Sequence, residues 1–208
     1  MPRPRRFYQD GLAHHVINRG NKKSRVFLEP ADYEDFLSAM AEAVSRTSVR
    51  TLTFCLMTNH FHLVLRPEHA RDLSAYMQRL MNHQIRHYLR RHGTSGTGHI
   101  YQGRFKSFPI EGEAHLLAVC RYVEANPVRA GLVDRAEDYR WSGLTCRASA
   151  DGTPLLAPWP VPKPADWLER VNRQLGEVTL RPIRVRCARN VRRTRGAGTQ
   201  VEETETVI

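Results

Sequence analysis

Two adjacent runs in the first third of the chain alternate apolar and polar positions. Leu52, Phe54 and Leu56 are set against threonines and Cys55, and Phe61, Leu63 and Leu65 against His60, His62 and Val64. A period of two marks strands, so residues 51–57 and 60–65 are predicted as an antiparallel hairpin turning at Thr58-Asn59. Residues 13–18 form a further short strand, closed by the turn residues Arg19-Gly20-Asn21. The period changes to that of a helix in residues 32–46, where Tyr33, Phe36, Leu37, Met40 and Val44 share one face. It does so again in residues 71–91, where Leu73, Met77, Leu80, Ile85 and Tyr88 make a stripe among many arginines, up to His92-Gly93. Residues 94–103 are rich in glycine, serine and threonine and read as a mobile loop. Residues 105–110 read as a fourth strand, and residues 113–126 as a helix with Leu116, Cys120 and Val123 facing the core and Pro127 ending or kinking it.

The order strand, helix, strand, strand, helix, strand, helix suits the α+β class: an antiparallel sheet with helices on one face, ferredoxin-like, its other face open to a ligand. The length of 208 residues fits one domain and an appendage. Residues 1–148 are expected to form the domain, with a short helix near residues 138–147. Residues 149–180 read as a proline-rich linker with a short helix. Residues 181–208 read as a tail that is basic and disordered by composition, with seven arginines in residues 181–195 before the acidic Glu202, Glu203 and Glu205.

Charge narrows the partner. The formal net charge is +11, with a pI near 10.1, and the only lysines are Lys22, Lys23, Lys106 and Lys163, so the excess is arginine. Guanidinium groups pair bidentately with phosphate and stack on bases, which points to nucleic acid. No apolar stretch approaches the roughly 20 residues of a spanning helix, and the N-terminus lacks an apolar signal core, so no membrane partner and a cytoplasmic location are expected. The cysteines Cys55, Cys120, Cys146 and Cys187 show no zinc-ribbon spacing and read as reduced thiols.

Candidate chemistry centres on His60-Phe61-His62. Residues i and i+2 of a strand project from one face about 6.6–6.8 Å apart, so two imidazoles stand side by side while Phe61 enters the core. That presents two ligands to one metal ion; a solvated strand face can also carry a bare His-x-His.

The stretch Met57-Thr58-Asn59-His60-Phe61-His62-Leu63-Val64-Leu65 resembles the histidine-hydrophobe-histidine (HUH) motif of the single-tyrosine transposases, in the branch associated with repetitive extragenic palindromes (REP). His15-Val16-Ile17-Asn18-Arg19-Gly20-Asn21 resembles that family's opening strand. Gly103-Arg104-Phe105-Lys106-Ser107 resembles its fourth strand. The run from Arg121 through Tyr122 and Asn126 to Gly131 resembles its nucleophile helix, and Tyr139-Arg140-Trp141-Ser142 follows as expected. The resemblance spans about residues 10 to 145. It implies an RRM-like HUH nuclease fold and a transposase that cleaves and rejoins single-stranded hairpin DNA of REP-like palindromes, through a covalent 5′-phosphotyrosine. It makes Tyr122 the nucleophile, His60, His62 and Asn126 the metal ligands, and magnesium or manganese (Mg2+ or Mn2+) the ion, acting as a Lewis acid. A homodimer is implied as well.

Arg6, Phe7, Tyr8, Arg19, Arg104 and Lys106 are candidate DNA contacts, with Tyr101 also available to stack on unpaired bases. The C-terminal residues from Pro182 onward depart from the basic signature common in that branch. A noncatalytic RRM-type module would want aromatics where His60, His62 and Val64 stand. A histidine-triad hydrolase would want a third histidine at Val64. A domesticated, binding-only relative of the same fold is the remaining alternative.

Overall fold

The computed structural model describes residues 10–93, 98–148 and 155–173. Strands β1 (Ala13–Arg19), β2 (Val49–Met57), β3 (His60–Pro67) and β4 (Lys106–Ile110) form one antiparallel sheet in the order β2-β3-β1-β4. This is the ferredoxin-like order, reached because a helix follows β1 and another follows β3. The α+β class and the antiparallel sheet match the sequence expectation.

Helices α1 (Pro30–Ser45) and α2 (Ala70–His92) pack on one face of the sheet. Their buried stripes, including Tyr33, Phe36 and Met40 on α1 and Leu73, Tyr76, Met77 and Leu80 on α2, meet Val16, Phe54, Leu56, Phe61, Leu63 and Leu65 of the sheet. Pro30 opens α1, and the Asp32 carboxylate accepts the backbone N–H groups of Leu28 and Glu29 at 2.7 and 3.2 Å, tying off the first turn. Helix α2 ends at Gly93, whose φ of 61° is the left-handed conformation that a glycine adopts without a Cβ penalty.

The opposite face, expected open, is covered. Helix α3 (Glu113–Glu124) and the short α4 (Asn126–Arg129) lie over it, with Leu116, Val119, Cys120 and Val123 packing on Ala13, Cys55, Met57, Val64 and Ile110. Its apolar strand positions account for this: a face carrying Cys55, Met57 and Val64 has surface to bury, and β3 is buried at nearly every position, as a strand covered on both sides is. Leu52 also departs from the expected alternation. A register shift between Thr51 and Thr53 turns it away from Phe54 and Leu56 and into the α3 side of the core.

The proline-rich segment after residue 154 reaches both layers, Leu155 joining the core under α1 and α2 and Val161, Trp167 and Val171 the core under α3. Leu155, Val161, Trp167 and Val171 are buried, and α6 (Trp167–Asn172) packs on α3, while α5 (Gly143–Ala148) packs on β2. The segment expected as a mobile loop is pinned in its second half, where Gly20 bridges Tyr101 and Gln102 N–H donates to the Arg19 carbonyl at 2.9 Å. The last 30 or so residues, read as a disordered tail, lie outside the described residues.

Candidate active site beneath the third helix

The register of the sheet sets the site. Antiparallel partners share a face, so Cys55, His62, Ile17 and Lys106 form one row across the four strands, Met57, His60 and Arg19 a second, and Thr53, Val64, His15 and Phe108 a third. All three rows lie on the face covered by α3. The two histidines expected on an open, solvated face are therefore enclosed: His62 is 2% exposed and His60 half-buried.

Tyr122 is likewise 2% exposed and meets the histidines from above. Its ring centroid is 5.7 Å from that of His62 and 5.9 Å from that of His15, both edge-on. The rings of His60 and His62 lie 5.0 Å apart at 84°. A single chain thus brings Tyr122 and both histidines of the motif together.

Asn126 owes its orientation to the proline after it. Pro127 has no N–H to offer the Val123 carbonyl, and the Asn126 Nδ2 group donates there at 3.4 Å and to the Tyr122 carbonyl at 2.9 Å. With its amide nitrogen committed to the helix end, the side chain keeps its oxygen for other partners. That Oδ1 accepts from Arg129 at 3.4 Å, and the Arg129 guanidinium lies 4.7 Å from the centre of the Tyr122 ring, a cation–π contact. Helix α3 ends at Glu124 and α4 starts at Asn126, so the helix expected over residues 113–126 is broken in its last turn.

The electrostatics keep the imidazoles neutral. Burial pushes His60 down to about 4, with the charge of Arg19 adding to it, and pushes His15 down to about 3, helped by His115. Burial holds His62 well below its ordinary value, with His60 and His15 next in effect. Neutral imidazoles have lone pairs to give. His60 Nδ1 lies 2.6 Å from Asn59 Oδ1, an atom that can only accept, so the proton sits on Nδ1 and Nε2 is bare. The Nε2 of His62 is buried with no hydrogen-bond partner. Leaving such an atom unsatisfied costs about 1–3 kcal/mol, which a bound ion would offset. Two imidazole nitrogens and an amide oxygen fit a divalent ion held loosely, with room for phosphate oxygens.

Among the described residues a second group of metal-capable side chains, Glu29, Asp32 and His92, meets where α1 begins and α2 ends. Its donors are spoken for. Asp32 caps α1 and accepts from His92 Nε2 at 2.8 Å, and Arg91 pairs with Glu29, Asp32 and Asp35, so this group is a joint between helices.

Of the candidate DNA contacts, Arg19 and Lys106 are half-buried on the site face and Arg104 is exposed beside it in sequence. The Nε of Arg19 is buried without a partner. Arg6, Phe7 and Tyr8 lie outside the described residues. Tyr101 is not available for stacking: it is buried against Phe61, its ring centroid 6.0 Å away. Sequence reasoning missed His15 and Arg129 as members of the site, although both stand inside motifs it singled out.

The class is a ferredoxin-like sheet carrying a histidine pair on one strand and a tyrosine on the helix across it. Residues 8–126, more than half of the chain, match the family described as Transposase IS200 like, and the chain belongs to that family. A solved structure described as the REP-associated tyrosine transposase bound to a REP hairpin is similar over 79% of this chain and 96% of its own, with a TM-score of 0.58 and 20% identity. A candidate transposase from Deinococcus radiodurans aligns over 60% of this chain and 96% of its own, with a TM-score of 0.41 and 15% identity. No curated protein matches the chain. No helix among the described residues is long and apolar enough to cross a membrane.

Proposed function

We propose that this chain nicks and rejoins single-stranded hairpin DNA, with the Tyr122 oxygen as nucleophile. The observation that carries the reading is the placement of Tyr122 against His62, whose Nε2 is buried and unpartnered, on one face of one chain. The phenolic oxygen attacks the scissile phosphorus, the bond from phosphorus to the 3′ oxygen breaks, and a 5′-phosphotyrosine and a 3′-hydroxyl remain. The phenolic proton reaches the departing 3′ oxygen through solvent. Attack by another 3′-hydroxyl reverses the exchange and rejoins the strand, so no external energy is consumed.

His60, His62 and the Asn126 oxygen would hold magnesium or manganese. Bound there, the ion supplies Lewis-acid polarisation of the phosphate. Arg129 is set to offset negative charge near the tyrosine, and Asn126 fixes the helix end from which Tyr122 projects. Arg19, Arg104 and Lys106 contribute phosphate contacts, and Arg6, Phe7 and Tyr8 extend them toward the N-terminus. The REP hairpin bound by the similar solved transposase supports a folded-back, palindromic DNA as substrate here. The enzyme works in the cytoplasm, as a homodimer.

The test uses a hairpin with a single-stranded foot, with the full chain. Tyr122→Phe removes only the oxygen, and cleavage should fall by at least about 10³-fold while hairpin binding stays within about twofold. Chelation should stop cleavage, and Mn2+ or Mg2+ should restore it in the native chain but not in His60→Ala. Binding should persist in chelator, because arginine contacts with phosphate do not need the ion. Covalent adducts formed by Tyr122→Phe would sink the mechanism. Binding without cleavage under every condition would favour the binding-only alternative.

A further inference from the structure

His62 has two ring nitrogens and only one visible partner. Its Nδ1 lies 2.9 Å from Nε2 of His15 on the neighbouring strand, and the two rings are stacked 5.1 Å apart at 20°. The contact is a diagonal one across the antiparallel β1–β3 pair, since His15 stands opposite Val64 and Ile17 opposite His62. His15 is itself 2% exposed, so no solvent competes for either nitrogen.

One proton lies between these atoms, and its position decides what the site can do. If His15 donates, Nδ1 of His62 is bare and its proton sits on Nε2, leaving a buried N–H without an acceptor and no lone pair for an ion. If His62 donates, its Nε2 is bare, matching Nε2 of His60, whose own Nδ1–H is fixed by Asn59. Only the second arrangement gives both histidines of the motif the same tautomer.

We infer that His15 is a positioning residue that accepts the Nδ1 proton of His62 and thereby bares its Nε2 toward the site. The role deepens the nuclease reading and rests on it for its purpose, although the proton's position does not. Partners that orient a ligating imidazole through its other nitrogen typically alter metal affinity by about 10–100-fold when removed. His15 does this from a strand packed between β3 and β4, so the imidazole it holds is aimed by the sheet and not by a loop.

The experiment reads the metal-free full chain first. With histidine ring nitrogens labelled, NMR should show His62 protonated on Nδ1 and bare on Nε2, its signals identified by their loss in His62→Gln. In His15→Phe, which fills the space without an acceptor, His62 should revert to the Nε2–H form ordinarily preferred by neutral imidazole. Affinity for Mn2+, measured by EPR on the protein alone, should fall about 10–100-fold. His15→Gln, which restores an acceptor oxygen, should keep the Nδ1–H form and most of the Mn2+ affinity, with thermal unfolding run on each variant.

A proton on Nε2 of His62 in the native chain overturns the inference, and so does equal loss of Mn2+ affinity in both variants with the tautomer unchanged. If His15→Phe does not fold, the native spectrum and His15→Gln decide. The expected tautomer in a chain that binds no Mn2+ would support the role of His15 and count against the metal reading instead.

Discussion

Glu124 stands two positions after the candidate nucleophile and is buried, which raises its carboxyl above the ordinary range despite two hydrogen bonds that oppose the shift. Thr53 Oγ1 donates to one of its oxygens at 2.6 Å and Trp167 Nε1 to the other at 2.7 Å. One side chain thereby joins the end of α3 to strand β2 and to helix α6. Thr53→Val keeps the shape but removes a donor, and stability in urea unfolding should fall by about 1–3 kcal/mol, with the slope unchanged. Nicking should survive at permissive temperature, since Thr53 meets Glu124 and not Tyr122. At this scale the sequence was legible where a local period fixes direction, as for His60 and His62. It was silent on His15, whose role depends on the register between strands 47 positions apart, and on Glu124, whose partners come from two distant segments.

The elements themselves were mostly legible because each carries its own period: the hairpin, both long helices and the tyrosine helix stand close to where their patterns put them. Stacking of elements was less so. The stripe on α3 was read correctly as facing a core, yet nothing local says which core, and the sheet face beneath it was taken as open although Cys55, Met57 and Val64 offered it an apolar surface. Packing of α5 on β2 shows how tight the finished layer is. A Cβ at Gly143 would lie 2.4 Å from Thr53 Oγ1 and 2.8 Å from the Phe54 nitrogen, and the backbone of Ser142 already bridges Cys55. Gly143→Ala should therefore lower stability by about 1–3 kcal/mol in the same unfolding assay, whereas overpacking of this size is absent at Gly103, which has nothing within 4 Å of its Cβ position. Gly103→Ala serves as the control, expected within about 0.5 kcal/mol of the native chain.

Across the whole molecule, the sheet ends in two different ways. At β2, Leu56 N–H donates to the Trp141 carbonyl at 3.0 Å and Ala157 N–H to the Thr51 carbonyl at 2.9 Å, so later parts of the chain occupy that edge. At the other end β4 is a short strand of five residues with Pro109 exposed within it. Composition pointed to a polyanionic partner, but which strand would be outermost follows only from the order β2-β3-β1-β4, which no periodicity encodes. A proline cannot donate to a ladder, and a strand of this length offers few groups to a newcomer. Pro109 therefore discourages another strand from extending the sheet at β4. The same edge also guards an arginine-rich chain against growing into strand-on-strand aggregates. Pro109→Val should restore a sticky border, and light scattering on gentle heating should rise earlier for that variant than for the native protein, at equal thermal stability.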